Sequence, residues 1–197
     1  MHWNILTLPI YRFLLEQHEF PELEDMCNVN LEAVSTMHDY HNLTDIRSSI
    51  PSHLGQLHMR SGNAKKALPG LQDSLDIRLE DSLSDLGEVS WGESNLGQAC
   101  FASGDLETAF QWHDRSHKTW ARWAESQPES AAVPRFQPTM NVSMGRLLLY
   151  MGRYDEAVDY LEPTLREFRK DSAAKLGHGC IVSAKRLDVM YIPHWDF

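Results

Sequence analysis

The side chains with most capacity for chemistry cluster in WHDRSHKTWARW, residues 112–123, which holds His113, Asp114, His117 and three tryptophans. Histidines four apart share one face of a helix. Such a pair can offer two imidazole nitrogens to zinc, and HDRSH differs from the HExxH metalloprotease motif by Asp in place of Glu. Asp is one methylene shorter and no third ligand is evident in the sequence, so no metal is assigned. A second reading is acid/base chemistry on a bound small molecule, because burial lowers a histidine pKa and adjacent imidazoles share one proton poorly. His178 would then be a further proton carrier, and Arg146 would orient an anionic group. The third reading, which we favour, is a polar spot in a helical core, each imidazole hydrogen-bonded to backbone or carboxylate. The tryptophans fit it as large residues sealing a junction.

Composition narrows the function classes. The chain has 197 residues and is 42% hydrophobic, enough for one domain with a real core over residues 1–197. Its net charge of −10 repels phosphate, which argues against nucleic-acid and anionic-membrane partners. Cys27, Cys100 and Cys180 are far apart with no CxxC, which points to reduced thiols and a cytoplasmic setting. The apolar start MHWNILTLPIYRFLL lacks a basic n-region and a small-residue cleavage site, so it is read as a helix. No apolar run reaches the roughly 18 residues of a membrane span. Phosphate-binding loops and GxSxG are absent, and no cofactor is expected.

The elements that position the histidines come from a repeat. LGQLHMRSGNAKKAL (54–68), LGQACFASGDLETAF (96–110) and MGRLLLYMGRYDEAV (144–158) align without gaps. Each carries Gly-x6-Gly-x4-Ala: Gly55, Gly62, Ala67; Gly97, Gly104, Ala109; Gly145, Gly152, Ala157. The first Gly sits inside a helix, at a cost of roughly 1 kcal/mol relative to Ala, where a neighbour must come close. The second suits a left-handed helix end, and the Ala lies on the packing face of the next helix. The spacing predicts stacked helical hairpins.

These residues resemble the tetratricopeptide repeat (TPR) family over roughly residues 44 to 185. The 42-residue spacing is similar to the longer repeats of kinesin light chains and fungal arrays. The resemblance implies an all-α fold, a right-handed superhelix of antiparallel helix pairs. About five hairpins are expected, at 3–37, 44–81, 85–125, 135–171 and 173–190, degenerate at the ends, with a tail at 191–197. Pro69 and Pro163 fall inside second helices and are expected to kink them. The Pro/Ser-rich segment 125–138 is expected to be a long loop that accounts for a 48-residue second spacing.

Register on the turn glycines places His113 and His117 where both neighbouring repeats have leucine: Leu71 and Leu75, and Leu161 and Leu165. The pair is therefore expected to be at least half buried. The resemblance also implies a concave groove lined by first helices. Its positions here are Ser52, Gln56 and Met59; Trp91, Ser94, Gln98 and Phe101; Val142, Arg146 and Leu149; His178 and Ile181; and Arg12. Asn95 matches one position of the carboxylate-clamp TPR proteins, but its equivalents are His53 and Ser143, and the clamp lysines are missing. The groove list contains no Asp or Glu. The leading expectation is an interaction scaffold that binds a protein or peptide with an anionic group, Arg146 being the carboxylate fork. Self-association through an open end of the stack is a further expectation. The alternative is a small all-α enzyme of cyclase, isomerase or lyase type, acting on an apolar small molecule through His113, His117 and His178.

Overall fold

The computed structural model describes residues 20–35, 43–81, 84–129 and 132–176. Among these, all regular structure is helical: α1 (Phe20–Ser35), α2 (Leu43–Arg60), α3 (Ala64–Glu80), α4 (Leu86–Ala102), α5 (Leu106–Ser126), α6 (Ala132–Tyr150) and α7 (Tyr154–Leu176). The first part of the hairpin expected at 3–37, most of the hairpin expected at 173–190, and the tail at 191–197 lie outside the described residues.

Three hairpins, α2–α3, α4–α5 and α6–α7, are closed by the turn glycines. Gly62, Gly104 and Gly152 have φ of 76°, 89° and 74°, the left-handed region that a Cβ disfavours. Each turn shows the same pair of bonds. Gly104 N–H donates to the Phe101 carbonyl and Asp105 N–H to that of Cys100, at 3.0 and 2.9 Å; Gly62–Met59 with Asn63–His58, and Gly152–Leu149 with Arg153–Leu148, repeat it. Asp105 then caps α5 by accepting from Thr108 N–H at 3.1 Å.

The first glycines mark where the two helices of a hairpin cross. A Cβ on Gly55 would lie 2.6 Å from Leu71 Cγ, and one on Gly97 would lie 2.9 Å from the His113 ring. Gly145 meets Leu161 in the same way. Ala67, Ala109 and Ala157 are fully buried beside these crossings. Gly70 brings α3 onto the backbone of α2, since a Cβ there would come within 2.9 Å of the Pro51 carbonyl oxygen.

Each hairpin packs on the next, α1 on α2, α3 on α4 and α5 on α6. The first helices also touch one another, α2 with α4 and α4 with α6, whereas the second helices make no contact of that extent. First helices therefore line the inner side of the stack and second helices its outer side. The core follows this order: Leu71, Leu75, Val89 and Leu96 join the first two hairpins, and Phe110 reaches Met144 and Leu148 in the third.

Two expectations change. The long loop at 125–138 is not present: α5 runs to Ser126, α6 begins at Ala132, and only 127–131 connect them. The connection between α3 and α4, residues 81–85, has the same length. The extra six residues sit in helix instead, α5 having 21 residues against 17 in α3, and α6 having 19 against 17 in α4. In addition, α7 continues through Leu176 with no break near residue 172. No Gly or Pro falls between Pro163 and Gly177, and Ala173, Ala174 and Lys175 are good helix formers. Pro69 and Pro163 lie inside α3 and α7, each of which runs as one helix through them.

Candidate functional site

His113 faces its own hairpin. It is 3% exposed, packed against Gly97, and takes the place that Leu71 and Leu161 take against Gly55 and Gly145. Burial, with the nearby His117 and Arg146 adding repulsion, pushes its pKa down to about 3, so the ring is neutral. His117 points to the next hairpin. It is half-buried, its Nε2 lies 3.3 Å from the Met140 carbonyl, and its ring meets Tyr160 edge-on at 5.2 Å. Burial lowers its pKa, against an upward pull from that carbonyl and from Asp114. Asp114, the counterpart of the HExxH glutamate, is bound to Lys118 at 2.6 Å. Among the described residues no group of three or more His, Cys, Asp or Glu side chains could hold a metal ion.

The tryptophans link three helices. Trp120 and Trp123 lie 4.7 Å apart, Trp120 meets Phe136 edge-on at 6.1 Å, and Phe136 lies 5.8 Å from Trp91. Trp123 donates to Asp85 Oδ2 at 3.0 Å, which fixes the end of α5 to the start of α4. Between these helices Ser90 and Ser116 exchange hydrogen bonds with each other's carbonyls, at 2.9 and 2.8 Å. Beside them Glu93, 1% exposed, is paired with Arg115 at 2.6 Å. Burial raises its pKa, and Thr119 and Arg115 pull it down. Sequence reasoning missed Glu93. Its register equivalents are Pro51 and Asn141, so a charge at this crossing has no precedent in the other repeats.

The inner side carries an open pocket of about 200 Å³. Four of the groove positions meet there: Gln56 and Met59 from α2, and Trp91 and Gln98 from α4. Arg60, Leu71, Asn95 and Thr139, absent from the sequence list of groove positions, complete the lining. No acidic residue lines it, although the chain carries a net charge of −10. Asn95 is 9% exposed, and its Nδ2 is buried with no hydrogen-bond partner. A buried amide left without a partner costs about 1–3 kcal/mol, so the site holds an unspent donor. His113 and His117 do not line the pocket.

The other groove positions are spread out. Ser94 is buried, Ser52 and Val142 are half-buried, and none of the three lines the pocket. Phe101 and Arg146 form a separate spot, with the guanidinium over the ring at 5.0 Å and Tyr150 edge-on to Phe101 at 5.0 Å. Arg146 is thus held against an aromatic face and half-buried, while Leu149 is exposed. Arg12, His178 and Ile181 lie outside the described residues.

No protein-family model matches the chain, and no curated protein matches it. A search of solved structures finds similarity to BtubC (BKLC) from P. vanneervenii, at 17% identity and a TM-score of 0.51, covering 79% of this chain and 76% of that one. That protein is kinesin light chain-like and has a TPR-like helical repeat fold. None of the described helices is long and apolar enough to cross a membrane. The stacked hairpins and the structural likeness together establish that this chain has an all-α, TPR-like helical repeat fold.

Proposed function

We propose that the chain is an interaction scaffold, with repeats of the 42-residue kinesin-light-chain-like or fungal-array type, that binds an extended peptide across α2, α4 and α6. The observation that carries this reading is the buried, unpartnered Asn95 amide in an open pocket free of acidic residues. The side-chain amides of Gln56, Asn95 and Gln98 in the lining suit a peptide carbonyl, and Trp91 and Met59 offer apolar surface to a side chain beside it. Arg60 on the pocket wall offers a cation to an acidic group of the same peptide. At about 200 Å³ and open, this pocket is smaller than the roughly 300–1,000 Å³ clefts that enclose small molecules, and neither His113 nor His117 lines it.

A random-peptide display library panned against the chain tests the proposal. Selected peptides should lose about tenfold or more in affinity with Asn95→Ala and with Trp91→Ala, since a hydrogen bond to a buried amide contributes about 1–3 kcal/mol. Peptides that bind both variants as tightly as the wild type would refute it.

A further inference from the structure

Every residue that lines the inner pocket belongs to α2, α3, α4 or α6. Exposure separates a floor from a rim. Met59, Leu71 and Asn95 are 6%, 2% and 9% exposed and form the floor. Trp91, at 39%, and the exposed Arg60 stand at the rim. The Trp91 ring is held in place by Phe136 of α6, with centroids 5.8 Å apart.

The register marks two of these residues as additions to the repeat. Trp91 stands where α2 has Ser49 and α6 has Thr139. Asn95 stands where they have His53 and Ser143. The other two hairpins form without a ring and an amide at these places, so the fold alone does not call for them.

The pocket sets four properties of its occupant. The first is size: a cavity of about 150 Å³ holds one benzene molecule, and this pocket has about 200 Å³, room for one ring. The second is an aromatic body, because Trp91 offers a ring and Met59 a sulfur, and both favour an aromatic partner. The third is an acceptor at the tip, because Asn95 Nδ2 has no hydrogen-bond partner. No bond holds that N–H, so a turn of the amide about its soft terminal torsion presents it to the pocket. The fourth is neutrality at the tip, because none of the three floor residues is a cation that could offset the desolvation of a carboxylate.

We propose, resting on the reading of the chain as a peptide-binding scaffold, that this pocket is a tyrosine subsite. The phenol ring lies between Trp91 and Met59, and the hydroxyl oxygen accepts from Asn95 Nδ2. Gln56 and Gln98 remain for the peptide backbone. Phenylalanine fits the same space but leaves the Asn95 amide without a partner, and a site built to bond a hydroxyl discriminates against the analogue that lacks it.

Display-selected peptides test this. They should share a tyrosine at one position, and its replacement by phenylalanine should weaken binding about tenfold in calorimetric titration. In Asn95→Ala, checked for wild-type circular dichroism, the tyrosine and phenylalanine peptides should bind alike. Trp91→Ala, at an exposed position, should weaken both peptides and keep the preference for tyrosine. A preference that survives Asn95→Ala would overturn the subsite and leave the scaffold reading standing. So would selected peptides that depend on both Asn95 and Trp91 yet carry no tyrosine. Peptides that depend on neither residue would overturn both.

Discussion

At the scale of single residues, the histidine pair divides into two structural contacts. His113 fills the place of a leucine against Gly97, and His117 reaches the backbone of α6. The crossing can be tested by a double-mutant cycle. Gly97→Ala in the wild type should destabilise by about 1–3 kcal/mol, because a Cβ would lie 2.9 Å from the imidazole. In the His113→Ala background the same change should turn favourable by up to about 1 kcal/mol, the helix preference of Ala over Gly. Urea unfolding of the four proteins measures this.

The same histidine predicts a pH dependence. Its folded pKa of about 3 lies below the ordinary 6.5, so the fold favours the neutral ring. That stability is fully present above the ordinary value and is lost as pH falls towards the folded value. The slope in this window is about 1.4 kcal/mol per pH unit, or about 2 kcal/mol by pH 5. His113→Leu should match the wild type within about 1 kcal/mol at neutral pH and exceed it by about 2 kcal/mol near pH 5. Equal losses in both proteins on acidification would refute this assignment. The register of both histidines was legible in the sequence, because the glycines fix the count. The unspent Asn95 amide was not, because having a partner is a property of every neighbouring helix at once.

At the scale of elements, the glycine pairs were the most readable feature. A left-handed residue at each hairpin turn has few alternatives to Gly, and each turn repeats one bonding pattern. Gly104→Ala isolates the backbone contribution, since nothing lies within 4 Å of its Cβ position. It should cost about 1–2 kcal/mol through left-handed strain alone, read as a lower urea midpoint with an unchanged slope. The boundary between α5 and α6 was misread for an equally physical reason. Pro134 and Pro138 look like breakers, yet Pro134 falls in the first turn of α6, where its missing N–H has no intrahelical partner to lose. Pro138 is buried inside α6, and its helix absorbs the lost bond within the packed stack. Local punctuation therefore yielded to tertiary packing.

At the scale of the whole molecule, hairpins stacked through their first helices produce an inner side with its own chemistry. The chain is acidic overall, but the pocket between α2, α4 and α6 contains amides, a hydroxyl, apolar surface and one arginine. Four of the residues lining the pocket, Gln56, Met59, Trp91 and Gln98, are among the groove positions that the TPR resemblance implies. The resemblance did not disclose that Phe101 and Arg146 would turn to each other, one ring-to-guanidinium contact away from the pocket. The most direct measurement is nuclear magnetic resonance of the side-chain amides while a display-selected peptide is titrated into the isotope-labelled chain. The account predicts that the Asn95 amide signals move furthest, followed by those of Gln56 and Gln98, with the outer faces of α3 and α5 unchanged. Saturable binding that leaves the Asn95 signals in place and moves those of the outer helices would contradict it.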